Sequence, residues 1–150
     1  MPLETVNILV AEDNEHDFRQ ISRAFRKCDF SVNIMHCTRA EEALEIIAAQ
    51  EVKVDIFLTD YKMPGMTGLE LAEQLFSDDV TFPTIILTGA GDENIAVAAL
   101  KLGGVFDYIS KDVDSIFINT LPDAVTKAIQ NYSSQVKLKE YQAKNKRLSL

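Results

Sequence analysis

The segment Val54-Asp55-Ile56-Phe57-Leu58-Thr59-Asp60-Tyr61-Lys62-Met63-Pro64-Gly65-Met66-Thr67-Gly68 contains a short, mostly apolar run, an acid and a turn. The run over 54–59 has the length and β-branched content of a buried strand. Pro64, Gly65 and Gly68 supply turn chemistry, and glycine lets backbone pass close to a neighbouring group. From Thr67 onward, Leu69, Leu71, Leu75 and Phe76 recur at helical spacing. The segment therefore predicts a strand, a turn and a helix, with Asp60 where the strand gives way to the turn.

The same unit recurs on both sides. Apolar runs at 7–11, 32–36, 84–88 and 105–109 predict four more strands. Helical spacing appears over 17–27 (Phe18, Ile21, Phe25), 39–50 (Ala43, Leu44, Ile46, Ile47) and 92–102 (Ile95, Ala98, Ala99, Leu102). A last helix is expected to open near Pro122, a residue suited to a first helical turn. Five strands alternating with helices predict an α/β fold, its parallel sheet covered on both faces and joined by right-handed crossovers.

The chain has 150 residues, 47% hydrophobic and 25% charged, which suits one domain with a core that needs no disulfide or metal. The formal net charge is −8, which argues against nucleic-acid binding by this domain. The cations Lys137, Lys139, Lys144, Lys146 and Arg147 gather in the tail, where a solvated helix face accounts for them. No apolar run approaches the ~20 residues of a membrane span, and the N-terminus has no signal-peptide pattern. A cytoplasmic protein without a membrane partner is expected. Cys28 and Cys37 stand at no metal or redox spacing, and His16 and His36 read as incidental.

In an open parallel sheet, ligands bind beyond the carboxyl ends of the strands, where strand order reverses. Glu12 and Asp13 follow the first predicted strand, Asp60 the third, Thr88 ends the fourth and Lys111 follows the fifth. All would meet at that edge. Crowded acids need a counter-charge, and Mg²⁺ suits an oxygen-only set. Asp13 and Asp60 are the candidate direct ligands, Glu12 a group that orients bound water, and the Lys62 backbone carbonyl a further ligand. A carboxylate beside such a cation can act as a nucleophile and form an aspartyl-phosphate. Lys111 would offset charge on the phosphoryl group and the Thr88 hydroxyl would donate to it. Singly, each residue has a plainer reading: Glu12, Asp13 and Asn14 as helix caps, Thr88 as a strand residue, Lys111 as a surface lysine. Together, at the ends of four strands, they read as one site.

Ile8-Leu9-Val10-Ala11-Glu12-Asp13-Asn14, the segment from Thr59 to Gly68, Ile85-Ile86-Leu87-Thr88-Gly89 and Phe106-Asp107-Tyr108-Ile109-Ser110-Lys111 resemble, in order, the motifs of response regulator receiver domains. The resemblance spans residues from about 7 to 130. It implies a flavodoxin-like (βα)5 doubly wound sheet with strand order 2-1-3-4-5, the order of the chemotaxis receiver that serves as a standard example of this fold. It also implies that Asp60 is the phospho-acceptor, that Glu12 and Asp13 form the Mg²⁺-holding acid pocket, and that Lys111 contacts the phosphoryl group. Thr88 and Tyr108 would be a switch pair. The donor would be a phosphohistidine on a sensor histidine kinase or a phosphotransfer protein, and the fourth helix, fifth strand and fifth helix would form the signalling face. Asp112 stands where receivers usually carry proline. A trans Lys111–Asp112 peptide is expected, because a cis bond before a non-proline costs about 2.5–4 kcal/mol. Lys111-Asp112 and Leu121-Pro122 resemble receivers fused ahead of other domains. Residues 5–130 are expected to be the receiver and 131–150 a helical extension or linker that could meet a downstream domain or a second copy.

Three rivals share parts of this pattern. A haloacid-dehalogenase-like phosphatase needs a second Asp two residues after its nucleophile, where this chain has Lys62. A flavodoxin's phosphate loop would be rich in Ser, Thr and Gly, whereas Glu12-Asp13-Asn14-Glu15 repels phosphate. A pseudo-receiver that only binds protein would not need the complete set of site residues. The expected protein is thus a phospho-acceptor, not a multiple-turnover enzyme.

Overall fold

A computed structural model of the chain describes residues 5–78, 80–89, 92–102, 105–111, 119–132 and 142. The elements are β1 (Val6–Ala11), α1 (Glu15–Arg26), β2 (Val32–Cys37), α2 (Ala40–Ala49), β3 (Ile56–Asp60), α3 (Gly68–Ser77), β4 (Thr84–Thr88), α4 (Glu93–Leu102) and β5 (Asp107–Ser110). A further helix, α5, covers 119–132. All five strands pair in parallel, in the order β2-β1-β3-β4-β5. This is the parallel sheet predicted from the alternation, in the flavodoxin-like doubly wound order that the resemblance to receiver domains implies.

The strand pattern explains the layering. Successive strand residues point to opposite faces. Ile8 and Val10, Ile56 and Leu58, Ile85 and Leu87, and Ile109 therefore pack on one side with Ile21, Ala24 and Phe25 of α1 and Leu121, Val125 and Ala128 of α5. Leu9, Ala11 and Phe57 face the other side, against Ala40 and Ala43 of α2 and Leu71 and Leu75 of α3. Every residue of β3 and β4 is buried. This is why those segments read as unbroken apolar runs rather than alternating ones.

Several boundaries differ from the sequence reading. Helix α1 begins at Glu15, not Asp17, because the Asn14 side chain accepts from the Asp17 N–H and caps the turn before it. Thr67 caps α3 in a capping box with Glu70. Strand β3 begins at Ile56 rather than Val54. Just ahead of it, the Asp55 carboxylate accepts from Asn7 N at 2.8 Å, so a side chain bonds where a ladder would otherwise continue. Strand β5 begins at Asp107 rather than Val105, and α5 is already helical at Asn119, ahead of Pro122. The Lys111–Asp112 peptide and nearly all of 131–150 lie outside the described residues. Among the described residues, no helix is long and apolar enough to cross a membrane.

At the opposite end of the sheet from the acids, the Tyr132 hydroxyl of α5 donates to Val80 O at 2.9 Å. That bond ties the end of α5 to the segment leading into β4.

Candidate functional site

The carboxyl ends of β1, β3 and β5 deliver three charged groups to one crevice. Glu12 directly follows β1, and its N–H donates to Cys37 O at 3.0 Å, so its backbone is held by the neighbouring strand. Asp60 is the last residue of β3 rather than the residue after it. It shares its strand parity with Ile56 and Leu58 and so leans toward the α1 side. Lys111 follows β5, and its N–H donates to Thr88 O at 2.8 Å. Its ammonium lies 3.1 Å from Glu12 Oε1, 3.0 Å from Asp60 Oδ1 and 2.7 Å from Asp17 Oδ2. The Glu12 side chain is fully buried, while those of Asp60 and Lys111 are 12% and 15% exposed.

Asp13 completes the acid group. Oxygens of Glu12, Asp13 and Asp60 lie within 4.8 Å of one another. Burial first, then the negative charge of Asp60, raises the Glu12 carboxyl from 4.5 to about 7, with Lys111 opposing the rise. Asp60 is also raised, by burial first, again against the pull of Lys111. For Lys111, burial disfavours the ammonium, but the hydrogen bond to Asp17 and then the charges of Asp60 and Glu12 outweigh it, and its pKa rises. Three clustered carboxyl groups thus share one lysine, and the raised pKa values of Glu12 and Asp60 mark the cost of ionising them there. A hard dication fits this donor set, which is all oxygen.

The turn after Asp60 is held tightly. Tyr61 N donates to Leu87 O at 3.0 Å and Gly68 N to Tyr61 O at 2.7 Å. A Cβ at Gly68 would stand 2.6 Å from the Asp60 carbonyl oxygen, so only glycine lets α3 approach this closely. Gly65 has φ +86°, the left-handed region, as the turn requires. Lys62 lies in this turn with its side chain exposed.

Thr88 and Tyr108 occupy the other flank. Thr88 is fully buried, and its hydroxyl donates to Ile109 O at 3.5 Å, not to an acid of the crevice. Tyr108 is half-buried on β5, opposite Ile86 in the β4–β5 register. The structure therefore brings together Glu12, Asp13, Asp60 and Lys111, with Lys62 in the adjoining turn and Thr88 and Tyr108 on the neighbouring strands.

Two residues escaped the sequence reading. Asp17, in the first turn of α1, makes the shortest of the Lys111 ion pairs. The Asn14 cap was the available signal, since it fixes where α1 starts and which acid faces the crevice. His36, read as incidental, donates through Nε2 to Glu12 O at 2.8 Å and stacks on Phe18 at 3.6 Å between ring centroids. It braces the main chain of the buried acid. Its place on β2, beside β1, was the clue.

This fold and site define a doubly wound α/β domain with an acid–lysine crevice at the carboxyl edge of its sheet. The chain matches the response regulator receiver domain family over residues 8–121. It is 32% identical over 124 residues to the methanogenesis regulatory protein FilR1 of Methanothrix harundinacea, a match covering 82% of this chain and 27% of that protein. It is 38% identical over 100 residues to the DNA-binding transcriptional regulator NtrC of Salmonella typhimurium, covering 66% of this chain and 20% of that protein. The chain thus spans about a quarter of the first relative and a fifth of the second. Among solved structures, a response regulator receiver domain protein from Clostridium thermocellum superposes with a TM-score of 0.74 at 26% identity, covering 87% of this chain and 98% of that one. The chain belongs to the response regulator receiver domain family. Receiver domains are signalling modules of two-component systems rather than enzymes in the usual sense. They bind Mg²⁺ in general and interact with histidine kinases.

Proposed function

We propose that Asp60 accepts a phosphoryl group from a phosphohistidine on a sensor histidine kinase or a phosphotransfer protein. An Asp60 carboxylate oxygen attacks phosphorus, an O–P bond forms, and the N–P bond to the donor imidazole breaks. The released imidazole nitrogen takes up a proton. The observation that carries this reading is the Lys111 ammonium 3.0 Å from Asp60 Oδ1, beside the acid group. A cation there meets the charge carried by the transferring phosphoryl oxygens. Glu12, Asp13, Asp60 and the Lys62 carbonyl would hold Mg²⁺, which would supply further positive charge to the site. Burial of Glu12 and Asp60 excludes water from one side of the acceptor and strengthens these interactions.

Thr88 and Tyr108 would then report the event. A phosphoryl group adds negative charge and oxygen acceptors near Thr88. Its hydroxyl turns from Ile109 O toward the new acceptor, vacating space into which Tyr108 moves. Both placements suit an amphipathic ring, which is what a two-state element needs. The face of α4, β5 and α5 carries the change to a partner. In this reading residues 5–130 are the receiver and 131–150 the connection to a downstream domain or a second copy.

The test is incubation with acetyl phosphate and Mg²⁺ followed by intact mass. The wild type gains one phosphoryl group, Asp60→Asn gains none, and EDTA suppresses the gain. Undiminished labelling of the Asn variant removes Asp60 from the role, and labelling that persists in EDTA removes the metal.

A further inference from the structure

We infer that Asp17 is a positioning residue for phosphoryl transfer: its 2.7 Å ion pair keeps the Lys111 ammonium at the acceptor while the other partners of that ammonium change. The inference rests on Asp60 being the acceptor, as proposed above. An ammonium has three N–H donors, and here three carboxylates surround it, on Glu12, Asp17 and Asp60. None is spare for a phosphoryl oxygen. Once Asp60 carries a phosphoryl group, its Oδ atoms lose their carboxylate charge and one donor must turn to the phosphoryl oxygens. Glu12 belongs to the close acid group with Asp13 and Asp60, the group a cation would enter. Asp17 is outside that group. Its side chain forms no bond to the transferred group, and the Asn14 cap fixes its backbone.

A lysine stem is flexible, and ordering it costs entropy. A permanent partner beside the reaction centre lowers that cost before the donor arrives. The rival explanation is that Asp17 only stabilises the positive end of α1. Glu15 already supplies an acid in that turn, where it pairs with Arg19. The rival also does not account for a side chain that reaches residue 111, 94 positions away in sequence.

The test compares labelling rates with acetyl phosphate and saturating Mg²⁺ for the wild type, Asp17→Ala, Asp17→Asn, Lys111→Ala and the double variant Asp17→Ala/Lys111→Ala. Asp17→Ala should label on the order of tenfold more slowly. Asp17→Asn, which keeps an acceptor oxygen, should recover part of the loss. In the Lys111→Ala background, Asp17→Ala should change nothing further, because the residue acts through the lysine. In EDTA, the ¹⁵N–¹H signal of the Lys111 ammonium should be resolved in the wild type and broadened by water exchange in Asp17→Ala. A wild-type rate in Asp17→Ala, an equal loss in the Lys111→Ala background, or an ammonium signal indifferent to Asp17→Ala overturns the inference. A wild type that takes up no phosphoryl group overturns the acceptor reading instead, while the ammonium signal still tests the tether.

Discussion

The two flanks of the crevice are held in opposite ways. On the α1 flank, Lys111 is bound by three carboxylates at 2.7, 3.0 and 3.1 Å. On the β4–β5 flank, the buried Thr88 hydroxyl makes one 3.5 Å contact with Ile109 O, at the outer limit of a hydrogen bond, and Tyr108 is half-buried beside it. Charge-assisted bonds are roughly twice as strong as neutral ones. A new charge placed between the flanks therefore meets a stiff wall on one side and a compliant one on the other. The stiff side suits the holding of a reacting group, and the compliant side suits the passing on of a change.

The largest expected effect comes from emptying the stiff flank of its cation. Lys111→Met leaves buried acids without a partner, which should cost about 3 kcal/mol of stability in EDTA at pH 8. Added Mg²⁺ should restore much of it. Denaturant titrations with and without the metal read both, and an unaltered midpoint in EDTA would mean that the three ion pairs do not stabilise the fold.

A comparable effect should appear on changing pH. The folded pKa of Glu12 is raised, from 4.5 to about 7, by burial and then by Asp60. A raised carboxyl stabilises the fold below its unfolded pKa, and that stability is lost as pH rises through the folded value. The metal-free domain should therefore weaken between about pH 4.5 and 7, by up to roughly 3 kcal/mol. Glu12→Gln should flatten the profile, and Mg²⁺ should oppose the loss at the upper end. A wild-type profile as flat as that of Glu12→Gln would break the link between burial and titration at this site.

The compliant flank should show the smallest change in stability and the clearest change in response. Thr88→Val removes one long hydrogen bond and should move stability by less than about 1 kcal/mol. In the same variant, beryllofluoride should no longer shift the NMR signals of Tyr108 and β5. A response equal to that of the wild type would mean that Thr88 does not couple the site to Tyr108.

Most of the fold was legible because the strands are buried on both sides. Ile8-Leu9-Val10 or Ile85-Ile86-Leu87 must feed two cores at once, and only a parallel sheet with helices on both faces supplies them. Element ends were less legible, because they depend on side chains such as Asn14 and Asp55 that bond in place of backbone. The acids and Lys111 could be grouped from strand ends alone. Asp17 was harder to place, since its tie to Lys111 depends on the rotation of α1 about its axis and on the reach of two side chains, and the Asn14 cap signals these only indirectly. The hydroxyl direction of Thr88 is a rotamer choice that sequence does not fix.

The close seating of α3 at Gly68 sets a limit on how this chain can diversify. A Cβ there would fall 2.6 Å from the carbonyl oxygen of Asp60, whereas one at Gly89 would, among the described residues, meet nothing nearer than a flexible carboxylate oxygen at 3.9 Å. The two glycines thus differ in the variation they permit. In a saturation library screened for phosphoryl uptake, position 89 would tolerate alanine or serine. Position 68 would stay fixed, because each alternative there displaces the backbone of Asp60, the proposed acceptor.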